Sequence, residues 1–167
     1  MVTAVKKHEW TETSISKVLA QKFMQRSTLI VPNCYWTGHE CDLLVIEKGL
    51  RIVDIEIKLS RADLKADAAK DKWWEHRPWQ RRRTLGDASK RQWPDKVWKH
   101  YYALPESVWD DGMAAHMPPT SGILLVRNAH SMCVKRNAKP NREAKPITSA
   151  DAIDIARLAS LRMWAVL

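Results

Sequence analysis

Three residues of this chain have the types and spacing for hydrolytic metal chemistry: Asp42, Glu56 and Lys58. Two apolar-rich runs, residues 41–47 and 51–59, flank the segment Lys48-Gly49-Leu50, which signals a hairpin. A three-residue loop sets residues whose numbers sum to 98 opposite each other, so Asp42 faces Glu56. Leu43, Val45, Val53, Ile55, Ile57 and Leu59 then share one apolar face. Asp42, Asp54, Glu56 and Lys58 share the other with Leu44, Ile46 and Ile52. A two-residue loop would shift the sum to 97 and send Asp42 and Glu56 to opposite faces. Directly opposed residues have Cβ atoms about 5 Å apart, close enough for two carboxylates to hold one hard cation through oxygen. Lys58 projects beside them, placed to steady a water or a phosphate oxygen. The same residues also suit a solvated, salt-bridged sheet face.

The elements around this hairpin follow from pattern. Thr13 or Ser14 caps a first helix with Ile15, Val18, Leu19, Phe23 and Met24 along one stripe. Residues 28–31 read as a strand that continues through Cys34 to Trp36. Ser60 caps a helix running to about Glu75, which Pro78 stops. Residues 80–94 carry no apolar period and read as irregular. Residues 100–104 and 122–127 read as core strands, with 132–135 pairing against the latter. Thr148 or Ser149 caps a last helix with Ile153, Ala156, Leu158, Leu161 and Met163 or Trp164 on its inner side. At 167 residues and 45% hydrophobic, the chain suits one domain spanning 1–167.

Helix, strand, Asp-bearing strand, Glu-x-Lys strand and helix, in that order, resemble the PD-(D/E)XK nuclease superfamily. The sequence H-E-C-D-L-L-V-I followed by D-I-E-I-K-L-S-R-A-D-L-K-A-D is similar to a subgroup of small, often phage-borne nucleases. The likeness covers roughly residues 11–127 and continues weakly through Tyr101 to Pro105 and Gly122 to Arg127. It implies an α/β fold with a restriction-endonuclease-like core, a mixed central sheet flanked by helices. It implies that Asp42 and Glu56, with the Ile57 carbonyl, hold Mg²⁺ or Mn²⁺ while Lys58 orients the attacking water. Glu12, at the mouth of the first helix, is similar to the superfamily's frequent first acidic residue; its other reading is a carboxylate favoured by the helix dipole. Asp63, Asp67, Lys70 and Lys72 lie where such enzymes carry accessory polar residues, and i,i+4 surface pairing explains them as well. Many such nucleases are homodimers, and the likeness implies a bacterial or phage-infected cytoplasm.

Charge points to a polyanionic partner. The formal charge is +9, and residues 58–100 hold thirteen basic against six acidic residues. Five of the nine tryptophans fall in that stretch. Within 72–99, Lys72, Arg77, Arg81, Arg82, Arg83, Lys90 and Arg91 interleave with them, a composition suited to neutralising phosphates and stacking bases of DNA. Residues 127–145 form a second basic stretch of net +5. Three cysteines without a C-x-x-C pair imply neither a disulfide framework nor a zinc knuckle, and the six histidines lack helical i,i+4 pairing. His39 with Cys34 and Cys41 makes at best a thin metal cluster, and a structural or surface histidine is the default reading. No glycine-rich phosphate loop, G-x-S-x-G motif, membrane span or signal-peptide core is present. The functional expectation is a Mg²⁺-dependent deoxyribonuclease. The alternative is a nucleic-acid-binding accessory protein that keeps the fold and does not cut.

Overall fold

The computed structural model describes residues 9–75 and 89–165. Among them, eight strands run in chain order as β1 (Ser27–Cys34), β2 (Cys41–Glu47), β3 (Ile52–Ile57), β4 (Trp74–Glu75), β5 (Ser89–Lys90), β6 (Lys99–Pro105), β7 (Gly122–Asn128) and β8 (Ser131–Arg136). The helices are α1 (Glu12–Phe23), α2 (Arg61–Asp67) and α3 (Ser149–Ala165). Six strands form one mixed sheet in the order β1-β2-β3-β6-β7-β8, parallel at β3–β6 and β6–β7 and antiparallel elsewhere. The expected α/β architecture with a mixed central sheet flanked by helices is therefore present.

The β2–β3 hairpin has the register expected of a three-residue loop. Leu43 pairs with Ile55, Leu44 with Asp54, Val45 with Val53 and Ile46 with Ile52, and every pair sums to 98. The turn closes with Leu50 N–H donating to Glu47 O at 2.8 Å and Glu47 N–H to Arg51 O at 3.0 Å. Leu50 takes the left-handed conformation, φ 56°, that completes such a loop, a position glycine would fill with less strain.

Each face of the sheet has its own cover. Ile15, Val18, Leu19 and Phe23 of α1 pack on Leu43, Val45, Val53, Ile55 and Ile57, each buried side chain contributing about 1.5–3 kcal/mol relative to exposure. On the opposite face, Leu44, Ile46 and Ile52 join Ile155 of α3, while Tyr102, Leu104, Ile123 and Leu125 join Leu64 of α2 and Trp73. The polar residues of β3 and the adjoining Lys58 lie on this second face between two apolar clusters, so they are buried rather than solvated: Asp54 and Glu56 are 0% exposed and Lys58 2%.

Several expectations need correction. Thr11, not Thr13 or Ser14, caps α1, in a reciprocal pair with Ser14. β1 runs unbroken through Pro32, which an edge strand tolerates, and ends at Cys34 after Asn33 in a left-handed conformation. The Ser60-capped helix stops at Asp67 instead of reaching Glu75; a 3₁₀ turn over Asp71–Trp73 follows, and Trp74–Glu75 pairs with Ser89–Lys90. Within the irregular stretch 80–94, residues 80–88 lie outside the described residues. Leu59, expected on the apolar face, is 36% exposed. α3 is capped by Thr148 and Asp151, but the face expected inside is outside: Ile153, Leu158, Leu161, Met163 and Trp164 are 44–68% exposed. Ile155 is the buried side chain, with Ala152 and Ala159 packed beside it.

Candidate active site

The end of the hairpin gathers the expected triad. Asp42 is the second residue of β2 and its Oδ2 accepts the Ile57 N–H at 2.7 Å, beyond the last ladder pair of β2 and β3. Lys58 Nζ donates to Glu56 Oε2 at 2.7 Å and lies 3.9 Å from Asp42 Oδ2. The Lys58 N–H continues the parallel pairing by donating to Ala103 O at 2.9 Å, which fixes the strand end.

Asp67, which the sequence left open between an accessory polar residue and a surface pair, is a full member of this cluster. It sits on α2 one turn after Leu64, and both face inward. Its Oδ2 accepts from Tyr102 Oη at 2.6 Å and from Trp73 Nε1 at 3.2 Å. Its Oδ1 lies 3.2 Å from Lys58 Nζ, 3.0 Å from Lys70 Nζ and 3.6 Å from Lys72 Nζ. Lys72 Nζ also meets Glu56 Oε1 at 2.5 Å, and Lys70 Nζ lies 3.5 Å from Glu56 Oε2. Three carboxylates thus face three ammoniums, with zero formal charge inside the cluster. The available signal was the Leu64/Asp67 spacing; the meeting with Tyr102 depends on β3–β6 pairing, which spacing along the chain does not display.

Titration follows these contacts. Burial and then the neighbouring charge of Glu56 push Asp42 up to about 7, against the smaller opposing effect of the Ile57 N–H and Lys58. Burial acts to lower Lys58, but Glu56 and Asp67 hold it above the ordinary lysine value. Burial acts to raise Asp67, but Lys72, Lys58 and the Tyr102 hydroxyl hold it well below the carboxylate range. Burial and Asp67 raise Tyr102, which keeps its hydroxyl a donor.

Other expected site residues stand elsewhere. Glu12 is exposed at the start of α1, whose inner side covers the opposite face of the sheet, and it has no contact with the carboxylate cluster among the described residues. Lys72 is not a groove residue: its side chain is 2% exposed and tied to Glu56 and Asp67. Arg77, Arg81, Arg82 and Arg83 lie outside the described residues. Lys90 is exposed on β5, and Arg91 is half-buried, its N–H donating to Trp73 O at 2.7 Å.

Parts of the two basic stretches do come together. Trp93 Nε1 donates to Lys139 O at 2.9 Å and the Asn141 N–H to Trp98 O at 2.7 Å. Arg91, Lys96 and Arg142 line a cavity of about 600 Å³ there, with Glu75, Asp95 and Glu143 on its wall. Lys99 Nζ stands 4.1 Å from the Trp98 ring centroid and Lys96 Nζ 4.9 Å from that of Trp36. Trp73, in contrast, is fully buried. Arg127 and Lys135 of the second stretch pair with Glu106 and Asp111, and Arg136 donates to the carbonyls of Ser121 and Pro118.

No family model matches the chain, and no curated protein does. A solved structure, the SPO1766 protein of unknown function from Silicibacter pomeroyi, is similar over 94% of this chain and 88% of its own, with a TM-score of 0.58 and 16% identity. That likeness extends the fold to a second chain. Among the described residues, no helix is long and apolar enough to cross a membrane.

Proposed function

We propose that this protein is a divalent-metal-dependent nuclease with a restriction-endonuclease-like core, hydrolysing phosphodiester bonds in DNA. The observation that carries the reading is the hairpin register, which brings Asp42, Glu56 and Lys58 together at one strand end. The resemblance to PD-(D/E)XK nucleases supports it, because that family uses an Asp and a Glu-x-Lys in this arrangement.

The residues fit a hard cation. The donors are all oxygens, and Asp42 is raised partly by the charge of Glu56, a repulsion that a divalent ion relieves. Asp42 and Glu56, with the Ile57 carbonyl, would hold it. When bound, it supplies Lewis-acid stabilisation of the phosphate and a more acidic water. Lys58, fixed by Glu56 and Asp67, holds the attacking water or the charge that develops on phosphorus-bound oxygen. Lys70, whose side chain is 49% exposed, is the ammonium of the cluster that reaches solvent and can meet a substrate phosphate. Asp67, held by Tyr102 and Trp73, positions all three lysines. Arg91, Lys96 and Arg142 would follow the nucleic-acid backbone away from the centre.

A specific observation favours a second reading, a nucleic-acid-binding accessory protein that does not cut: ammoniums already contact both Glu56 oxygens. One assay separates the two. Labelled single-stranded, duplex and branched DNA, with an RNA arm, is incubated with Mg²⁺, Mn²⁺ or chelator. Metal-dependent cleavage lost in Asp42→Asn, Glu56→Gln and Lys58→Ala, with binding retained, is the expected result. Binding without cleavage in every arm assigns the accessory role.

A further inference from the structure

A second polar cluster lies on the same sheet face, around Asp54. Its carboxylate is fully buried, and Oδ2 stands 3.1 Å from His39 Nε2 and 3.9 Å from His100 Nε2. Cys41 Sγ is 3.7 Å from His39 Nε2 and 3.3 Å from Thr37 Oγ1. The three donor atoms of His39, Cys41 and Asp54 all fall within 4.8 Å of one another. A tetrahedral ion with ligand bonds of roughly 2.0–2.3 Å sets neighbouring donors about 3.3–3.8 Å apart, close to the His39–Asp54 and His39–Cys41 separations.

Two unpartnered atoms point to a missing ligand. Asp54 Oδ1 and His100 Nε2 are buried with no hydrogen-bond partner among the described residues, although both residues are 0% exposed. His100 Nδ1 pairs with Ser121 Oγ at 2.9 Å; with the proton on that nitrogen, the Nε2 lone pair is left facing Asp54. Strand pairing supports this placement, because Asp54 and His100 are partners across β3 and β6. Buried polar atoms without partners are costly, and a shared cation satisfies these two at once.

We propose that His39, Cys41 and Asp54 form a site for a zinc-type transition-metal ion, with His100, whose Nε2 stands 3.9 Å from Asp54 Oδ2, as a candidate for its fourth position. Imidazole and thiolate donors select such an ion over Mg²⁺, so this site differs in kind from the all-oxygen pair of Asp42 and Glu56. The Cys41 S–H bond breaks as the S–metal bond forms, and the proton leaves to solvent. His39, with a side chain 14% exposed, marks the entry side. The ion would tie the β1–β2 connection, which carries His39, to β3 and β6, a structural role independent of the nuclease reading.

The test uses the full chain stripped with chelator and titrated with Co²⁺. One equivalent bound with a near-ultraviolet sulfur-to-cobalt band is expected, erased by one equivalent of Zn²⁺ and absent in Cys41→Ser. The band is expected to survive in Cys34→Ser and Asp42→Asn. X-ray absorption on the zinc-loaded native chain needs no variant and is expected to give one sulfur at about 2.3 Å with nitrogen and oxygen nearer. A native chain without the band, a band that persists in Cys41→Ser, or a zinc shell of nitrogen and oxygen alone overturns the site.

Discussion

Asp42→Asn is expected to stabilise the metal-free protein at alkaline pH. Burial and Glu56 raise the Asp42 pKa from 3.8 to about 7. A group raised on folding favours the native state below its unfolded pKa, and that contribution is lost as pH rises through the folded value. For Asp42 the loss runs from pH about 4 to about 7. Three pKa units correspond to about 4 kcal/mol. The side chain is 21% exposed, so solvent screening reduces this, and a gain of about 2 kcal/mol is expected at pH 8. Asparagine keeps an oxygen to accept the Ile57 N–H. His100, lowered to about 4 by burial, acts in the opposite sense between pH 4 and 6.5, but it is common to both proteins and cancels in their difference. Urea unfolding in chelator at pH 5 and pH 8 measures it. The variant's gain should be smaller at pH 5, about 0.8 kcal/mol, because only part of the titration range has been crossed, and saturating Mn²⁺ should stabilise only the native sequence, by about 3 kcal/mol at a hundredfold excess over Kd. A variant less stable than the native chain at pH 8, or a difference that does not change with pH, refutes the reasoning.

Other outcomes follow from the same contacts. Lys58→Met should cost about 3–5 kcal/mol in urea unfolding, because Glu56 and Asp67 lose a buried partner. Tyr102→Phe should cost about 2 kcal/mol by removing the hydroxyl donor to Asp67, and should lower the cleavage rate without weakening DNA binding. Gly122→Ala should cost about 3 kcal/mol or more by calorimetry, since the added Cβ would stand 2.2 Å from the Tyr101 ring and 2.8 Å from the Ala138 nitrogen. Arg142→Ala should weaken DNA binding and flatten its dependence on salt in a titration at several ionic strengths, with little change in stability.

The hairpin was legible because two constraints agreed: a turn of fixed length, and a period-2 pattern in which a one-residue slip would have buried the wrong side chains. β2 emerged with its observed bounds for the same reason. Lys72 misled because a lysine in a basic, tryptophan-rich stretch reads as surface, and its carboxylate partners Glu56 and Asp67 arrive from β3 and α2. The Asp54 cluster was hidden by distance along the chain. His100 comes beside Asp54 only because a long crossover sets β6 parallel to β3. α3 reversed its faces because the reading weighted large apolar residues, whereas the helix approaches the sheet through Ile155 flanked by Ala152 and Ala159. Glu12 followed a family pattern rather than a contact.

The central claim is that Asp42 and Glu56 share a divalent ion, and anomalous scattering from a crystal soaked in Mn²⁺ tests it most directly. The account predicts one peak about 2.1 Å from an oxygen of each carboxylate, with Lys70 or Lys72 displaced from Glu56. An empty position, with Glu56 still held by Lys58 and Lys72 at millimolar Mn²⁺, would contradict it.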